Sequence, residues 1–272
     1  DFDLVVIGSG PAGQRAAVQA AKLGKRVALI ERRRDVGGVC INTGTIPSKT
    51  MREAVLDLSG RRQRLLYGDD FAPSRRATVQ ELMSRTLQVM AAERDVIRAQ
   101  LKRNGIHLVE GDGRFASPHT VAVDRGAERT LLRAANVVVA VGTRPGLPTG
   151  IAVDHRTVLT SDDILELERL PRQMVVVGAG IIGLEYGTMF AALGVEVTLL
   201  DKRPNLLEMV DRELVDAFCY HAREAGLTLR LGEDVDRIEP GANGHPVITM
   251  RSGKRTAAEM VGNHVLDSIH PD

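Results

Sequence analysis

The sequence predicts an α/β protein made of two similar halves, each a parallel sheet between covering layers, and three observations carry that prediction. First, Leu4-Val5-Val6-Ile7-Gly8-Ser9-Gly10-Pro11-Ala12-Gly13 is a short apolar run closing on G-x-G-x-x-G, and Met174-Val175-Val176-Val177-Gly178-Ala179-Gly180-Ile181-Ile182-Gly183 repeats it. Second, each motif leads into an Ala/Leu-rich stretch of helical period and then another apolar run, 26–30 or 196–200. Third, each of those runs ends on an acid, Glu31 or Asp201, at the same distance of 23 residues beyond the first glycine (8 to 31 and 178 to 201). Strand, glycine turn, helix, strand and acid, read twice, give two Rossmann-like dinucleotide-binding domains of three layers each.

The elements between the motifs follow in order. From Thr78 to Asn104 breakers are few, and Leu82, Thr86, Val89, Met90, Val96, Ile97 and Leu101 make a helical pattern, which predicts one long helix. Ile106–Glu110, Thr120–Val123 and Val137–Val141 read as strands separated by Gly and Pro turns. Gly142-Thr143-Arg144-Pro145-Gly146-Leu147-Pro148 ends the last of them and predicts a linker, so the chain divides into 1–147 and 148–272. From Arg237 onward Gly, Asn, Pro and charges interrupt the apolar runs, and the last dozen residues carry no clear pattern. Arg32-Arg33-Arg34 and Arg61-Arg62 read as solvated surface.

Composition narrows the function. The 272 residues hold 36 Lys+Arg against 35 Asp+Glu, a net charge of +1 that gives no global pull toward nucleic acid or an anionic membrane. Aromatic content of 3% argues against a base-stacking platform, and no apolar run approaches the roughly 20 residues of a membrane span. Leu4–Ile7 is too short for a signal peptide, and two cysteines, Cys40 and Cys219, make no disulfide framework. Cys219, among Leu214, Val215 and Phe218, reads as core. The expectation is a cytoplasmic enzyme or binding protein with no metal, nucleic-acid or membrane partner.

The motif glycines have separate physical tasks: Gly8 and Gly178 make a tight turn, Gly10 and Gly180 let backbone approach a pyrophosphate, and Gly13 and Gly183 let helix and strand pack closely. The helix N-terminus behind each turn stabilises phosphate charge. Glu31 and Asp201 would accept hydrogen bonds from adenosine ribose hydroxyls. Asp201 suits the free 2′-hydroxyl of NAD and repels the 2′-phosphate of NADP, whereas Lys202 and Arg203 would accept that phosphate if Asp201 turned away. Both readings stand on the sequence.

Gly37-Gly38-Val39-Cys40-Ile41-Asn42-Thr43-Gly44-Thr45-Ile46-Pro47-Ser48-Lys49 resembles the redox segment of the flavoprotein disulfide reductase family. The resemblance continues through Glu110–Phe115, Ala140–Pro145, Thr160–Asp162 and the second glycine motif, to about residue 255. It implies that the first motif holds FAD, lined by Gly8, Gly10, Gly13, Glu31, Arg32, Gly37, Gly38, Cys40, Lys49, Gly113 and Gly142. The second would hold NAD or NADP, lined by Gly178, Gly180, Gly183, Glu185, Asp201, Arg203 and Val235. It also implies a buried Lys49–Glu185 pair near the flavin N5.

The family pattern is C-x-x-x-x-C, and this chain has Thr45 at the second cysteine. A threonine hydroxyl forms no disulfide and is too weakly acidic to replace a thiolate. Cys40 alone cannot pass two electrons to a disulfide substrate, so hydride reaching the flavin needs another exit, of which a second nicotinamide nucleotide is the simplest. This form is similar to the branch of the family that moves hydride between NADPH and NAD through FAD, by a ping-pong route. Two alternatives are a dihydrolipoamide-dehydrogenase-like flavoprotein and a non-catalytic dinucleotide-binding fragment. The family chain continues with the end of the FAD domain and a dimerisation domain, neither of which this sequence contains. The chain is therefore expected to be a fragment with an exposed strand edge and weak flavin retention, while the full-length protein is a homodimer.

Overall fold

A computed structural model describes residues 1–63, 68, 77–144, 146, 151, 153–240, 245–252, 255–261 and 264–267. The chain forms two compact units, Asp1–Thr50 with Thr86–Arg144, and Met51–Arg85 with Pro145–Asp272. The unit boundary at 144/145 falls inside the predicted linker, whose residues 145, 147 and 148 lie outside the described ones. Residues 51–85 pack with the second unit, an arrangement that no linear division contains.

The first unit holds β1 (Phe2–Ile7), α1 (Pro11–Lys22), β2 (Val27–Glu31), α2 (Gly38–Asn42) and the start of α3 (Thr45–Leu58). Most of α4 (Val79–Arg103) follows, then β3 (His107–Glu110), β4 (Asp112–Ser117), β5 (Thr120–Arg125) and β6 (Glu128–Val139). The strand order is β3-β2-β1-β6-β5-β4, with the first four parallel and the last three antiparallel. On one face of the parallel part, Val6, Val27 and Leu29 pack with Ala17, Val18, Ile97 and Leu101 of the helices. On the other, Val5, Ile7, Ala28 and Ile30 pack under Val121, Val123 and Leu132. With both faces covered, β1 and β2 show as unbroken apolar runs rather than alternating ones. Each such Leu or Ile contributes about 1.5–3 kcal/mol of burial.

The long helix begins where its cap residues dictate: Thr78 N–H and Oγ1 donate to Glu81, and Glu81 N–H donates back to Thr78 Oγ1. Strand β6 runs 12 residues, far longer than the reading at 137–141. Its first half pairs antiparallel with β5 and its second half, Ala134–Val139, runs parallel to β1. Among the described residues that second half has no other strand neighbour, and Val139 and Val141 beside it are exposed.

The second unit holds β7 (Val158–Thr160), a 3₁₀ turn at Ser161–Glu166, β8 (Gln173–Val177), α5 (Ile181–Ala192), β9 (Glu196–Asp201), α6 (Arg212–Glu224) and β10 (Leu227–Leu231). Then come β11 (Glu233–Pro240), β12 (Pro246–Ser252), β13 (Arg255–Val261) and β14 (His264–Asp267). A parallel sheet of order β10-β9-β8-β14-β7 and an antiparallel sheet β11-β12-β13 result. Met174, Val176, Val197 and Leu199 pack with Phe190, Val215 and Ile164, together with Met51, Val55, Val79 and Leu82 from the 51–85 segment. Val175, Val177 and Leu200 pack against Ile238, Ile248 and Met250 on the opposite side.

The patternless tail of the sequence reading is corrected here. Residues 264–267 form β14, paired in parallel with both β8 and β7, and residues 255–261 form β13 on β12. Four residues give β14 too short a run for an alternation to register as a signal. Residues 268–272 lie outside the described ones. Among the described residues, no helix is long and apolar enough to cross a membrane.

Candidate functional site

In the first unit, β1 ends on Gly8 at φ +107°, where a Cβ would overlap the Ala140 carbonyl, and the chain turns into α1. The turn, the end of β2, the start of α2 and the segment around Gly111–Gly113 enclose a cavity of about 310 Å³. That lies at the small end of ligand cavities, about 300–1,000 Å³. Gly8, Gly10, Glu31 and Arg32 line it on one side, and Gly38, Cys40, Gly113 and Gly142 line the rest. The walls also include Ser9, Gly111, Asp112 and Thr143, which the sequence reading passed over. Arg32 and Arg33 belong to the wall, so part of the arginine run read as solvated surface faces a binding cavity. Arg62 of the other run pairs with Glu53 and Asp57 on an exposed face of α3.

Gly38, at φ +62°, passes so close to the turn that a Cβ would sit 2.8 Å from Gly10 Cα. Only two glycines permit this approach of α2 to the fingerprint turn. Gly13 and Gly37 do not line the cavity. A Cβ on Gly13 would overlap the Gly8 carbonyl, and one on Gly37 would meet the Ile41 side chain at 2.6 Å, so both serve packing.

Glu31 is 8% exposed and held by neutral donors. Oε2 accepts from Ser9 N–H at 3.0 Å and from Ser9 Oγ at 2.5 Å, and Oε1 accepts from Arg33 N–H at 2.9 Å. The same Ser9 hydroxyl accepts from Gly37 N–H at 3.0 Å, so one fully buried side chain ties the turn, the acid and the approach to α2. Nothing in the fingerprint pattern marks the second position for this task.

The redox segment splits into two helices: Cys40 lies on α2 and Thr45 opens α3, exposed. Asn42 braces α2 by donating to the Val36 and Gly38 carbonyls while accepting from Arg94 Nε at 2.8 Å. Arg94 also pairs with Asp35 at 3.2 Å, so the segment's ends are tied to α4. Lys49 is exposed on α3 and Glu185 is half-buried on α5.

The second unit repeats the arrangement. Gly178 turns at φ +101°, Gly180 caps α5 with open space around it, and Gly183 is buried in the helix. Asp201 is 6% exposed. Its Oδ2 accepts from Ala179 N–H at 2.7 Å and Arg203 Nη2 at 2.8 Å, and its Oδ1 accepts from Arg203 N–H at 2.8 Å and Nε at 3.0 Å. Burial pushes the Asp201 carboxyl up, but the Arg203 guanidinium and the backbone N–H groups outweigh it and hold the group below its ordinary value. Tyr186, beside Glu185, has its phenol pushed far up by burial and by the charges of Glu185 and Asp162, so it stays protonated. Val235 packs against the Val175 and Ile248 cluster. Cys219 packs against the core, as read.

Each unit thus holds a glycine turn at a helix N-terminus and a buried acid pinned by backbone N–H groups, the features that dinucleotide-binding folds use. Comparison with known proteins agrees. Residues 2–262 match the pyridine nucleotide-disulphide oxidoreductase family. The soluble pyridine nucleotide transhydrogenase of Mycobacterium tuberculosis is 51% identical over 263 residues, 96% of this chain and 56% of that one. The transhydrogenase of Photorhabdus laumondii is 37% identical over 259 residues, 95% of this chain and 55% of that one. The structure of the HOCl-induced flavoprotein disulfide reductase RclA from Escherichia coli superimposes with a TM-score of 0.82 at 26% identity, covering 98% of this chain and 56% of that one. This chain thus spans a little over half the length of the relatives it matches. It belongs to the pyridine nucleotide-disulphide oxidoreductase family.

Proposed function

We propose that this chain carries the FAD site and the nicotinamide-dinucleotide site of a soluble pyridine nucleotide transhydrogenase. The observation that carries the proposal is Cys40 in the wall of the cavity with threonine, not cysteine, at position 45. A flavin seated there has no dithiol to reduce, and the transhydrogenases are the relatives that match this chain at 51% and 37% identity. FAD, when bound, supplies hydride acceptance from NADPH and donation to NAD.

The chain's own residues do the rest. Glu31 accepts a ribose hydroxyl of the flavin nucleotide while Ser9 and Arg33 N–H fix its carboxylate. The α1 N-terminus and Gly10 receive the pyrophosphate. In the second unit Gly178, Gly180 and the α5 N-terminus receive the nicotinamide nucleotide's pyrophosphate, and Asp201 with Arg203 reads its adenosine ribose. Lys49 and Glu185 are assigned to the flavin and nicotinamide rings by the family resemblance. A cytoplasmic location and a homodimer for a chain of the relatives' full length belong to the same reading.

The test is the visible absorption spectrum of the gently purified chain supplied with FAD, before and after anaerobic NADPH. A flavin band that bleaches with NADPH and returns with NAD supports the proposal. A protein that stays colourless after added FAD overturns it for this chain and leaves a nucleotide-binding fragment.

A further inference from the structure

The two ribose acids are held by one backbone scheme and differ in a single donor. In each unit the residue after the first glycine donates its N–H to the acid (Ser9 to Glu31, Ala179 to Asp201), and so does the residue two beyond the acid (Arg33, Arg203). The remaining donor on Glu31 is the neutral Ser9 hydroxyl. On Asp201 it is the Arg203 guanidinium, through Nε and Nη2.

That difference changes what each carboxylate can still accept. A carboxylate offers about four acceptor sites. Glu31 receives three donors, which leaves one for a ribose hydroxyl. Asp201 receives four, so its acceptor sites are filled while the guanidinium is docked. Charge differs too: among the described residues no cationic side chain pairs with Glu31, whereas Asp201 and Arg203 neutralise each other. Exposure is also unequal: the Asp201 side chain is 5% exposed and the Arg203 side chain 49%, so the arginine has open solvent to turn into. The element able to move is the arginine, not the aspartate.

We infer that Arg203 is a two-position switch that lets the second unit's ribose subsite take both NAD and NADP, a deepening that rests on the proposed function. Undocked, the guanidinium uncovers Asp201 for the 2′-hydroxyl of NAD. Turned toward a 2′-phosphate, it supplies the positive charge that offsets Asp201 and binds the phosphate oxygens. The aspartate stays in place in both states, contrary to a scheme in which it turns away.

Loss of the guanidinium must therefore weaken NADP without weakening NAD. In calorimetric titrations of the full chain with NAD and with NADP, Arg203→Ala weakens NADP by about tenfold or more, equivalent to about 1.4 kcal/mol. NAD binding is unchanged or tightens a few-fold because its carboxylate is no longer covered. Arg203→Gln, which retains length and a hydrogen-bond donor but no charge, behaves the same way and serves if the alanine variant fails to fold. A merely structural arginine would weaken both nucleotides together, and that result overturns the inference, as does NADP affinity that survives in both variants. If the unsubstituted chain binds NAD but not NADP, the switch is refuted while the nicotinamide site stands. If it binds neither, the reading of the second unit falls and the switch with it.

Discussion

Replacing Ser9 with alanine removes a hydroxyl that makes two buried hydrogen bonds, although it leaves the G-x-G-x-x-G pattern intact and copies the Ala179 of the second motif. The hydroxyl donates to Glu31 at 2.5 Å and accepts from Gly37 N–H at 3.0 Å. A hydrogen bond to a charged group contributes about 1.5–3 kcal/mol, and a buried N–H left without a partner costs about 1–3 kcal/mol. Relaxation recovers part of this, so a loss of about 3 kcal/mol in unfolding free energy is expected for Ser9→Ala. Glu31 keeps the Ser9 and Arg33 N–H donors, so its carboxylate stays near its place and flavin affinity drops by about tenfold rather than vanishing. Urea unfolding followed by circular dichroism measures the first quantity, and flavin fluorescence quenching on titration measures the second. A change in unfolding free energy below about 0.5 kcal/mol, within the range of an ordinary surface substitution, would refute the claim that this hydroxyl ties the turn to α2.

Two further outcomes are expected. Arg94→Ala removes the donor to Asn42 and the partner of Asp35, so amide hydrogen exchange across 35–43 should speed up while the strands of the same sheet keep their protection; uniform protection across both regions would contradict the bracing role. Asp154 accepts from the N–H groups of Arg156, Thr157 and Val158, and from the Thr157 hydroxyl. Burial acts to raise its carboxyl, but these bonds outweigh it and bring it down from 3.8 to about 2. A lowered carboxylate stabilises the fold above its unfolded value and loses that contribution as pH falls toward 2. Asp154→Asn should therefore lower the melting temperature at pH 7, with the gap to the unsubstituted chain closing near pH 2; a gap independent of pH would show that the charge is not involved.

Much of this architecture is readable from the sequence because its strongest signals are local. The two glycine motifs, the apolar runs behind them and the acids at a fixed distance record steric demands within one βαβ unit. The long helix announces itself through its period. Strand β4 is not readable, since residues 112–117 are mostly exposed and alternate weakly. The first half of β6 is hidden because Glu128, Arg129, Thr130, Leu131 and Arg133 are exposed and Leu132 is its one buried side chain. The packing of 51–85 with the second unit is a long-range choice that no window contains. At the site, the acids were legible but their keepers were not. Ser9 occupies a position the motif leaves open, and Arg203 reads as a candidate phosphate ligand, not as the residue whose guanidinium holds Asp201.

The position of β14 has a consequence for the order in which the second unit becomes itself. In the second unit, residues 264–267 form a late strand between two earlier ones, touching Val158–Thr160 on one side and Met174–Val177 on the other. During synthesis β8, α5 and β9 can associate as soon as they clear the ribosome. The segment 158–160 has no strand to lean on until more than a hundred further residues have been made (158 to 265). The unit is a keystone arch, and the entropic cost of closing it is that of joining segments more than a hundred residues apart.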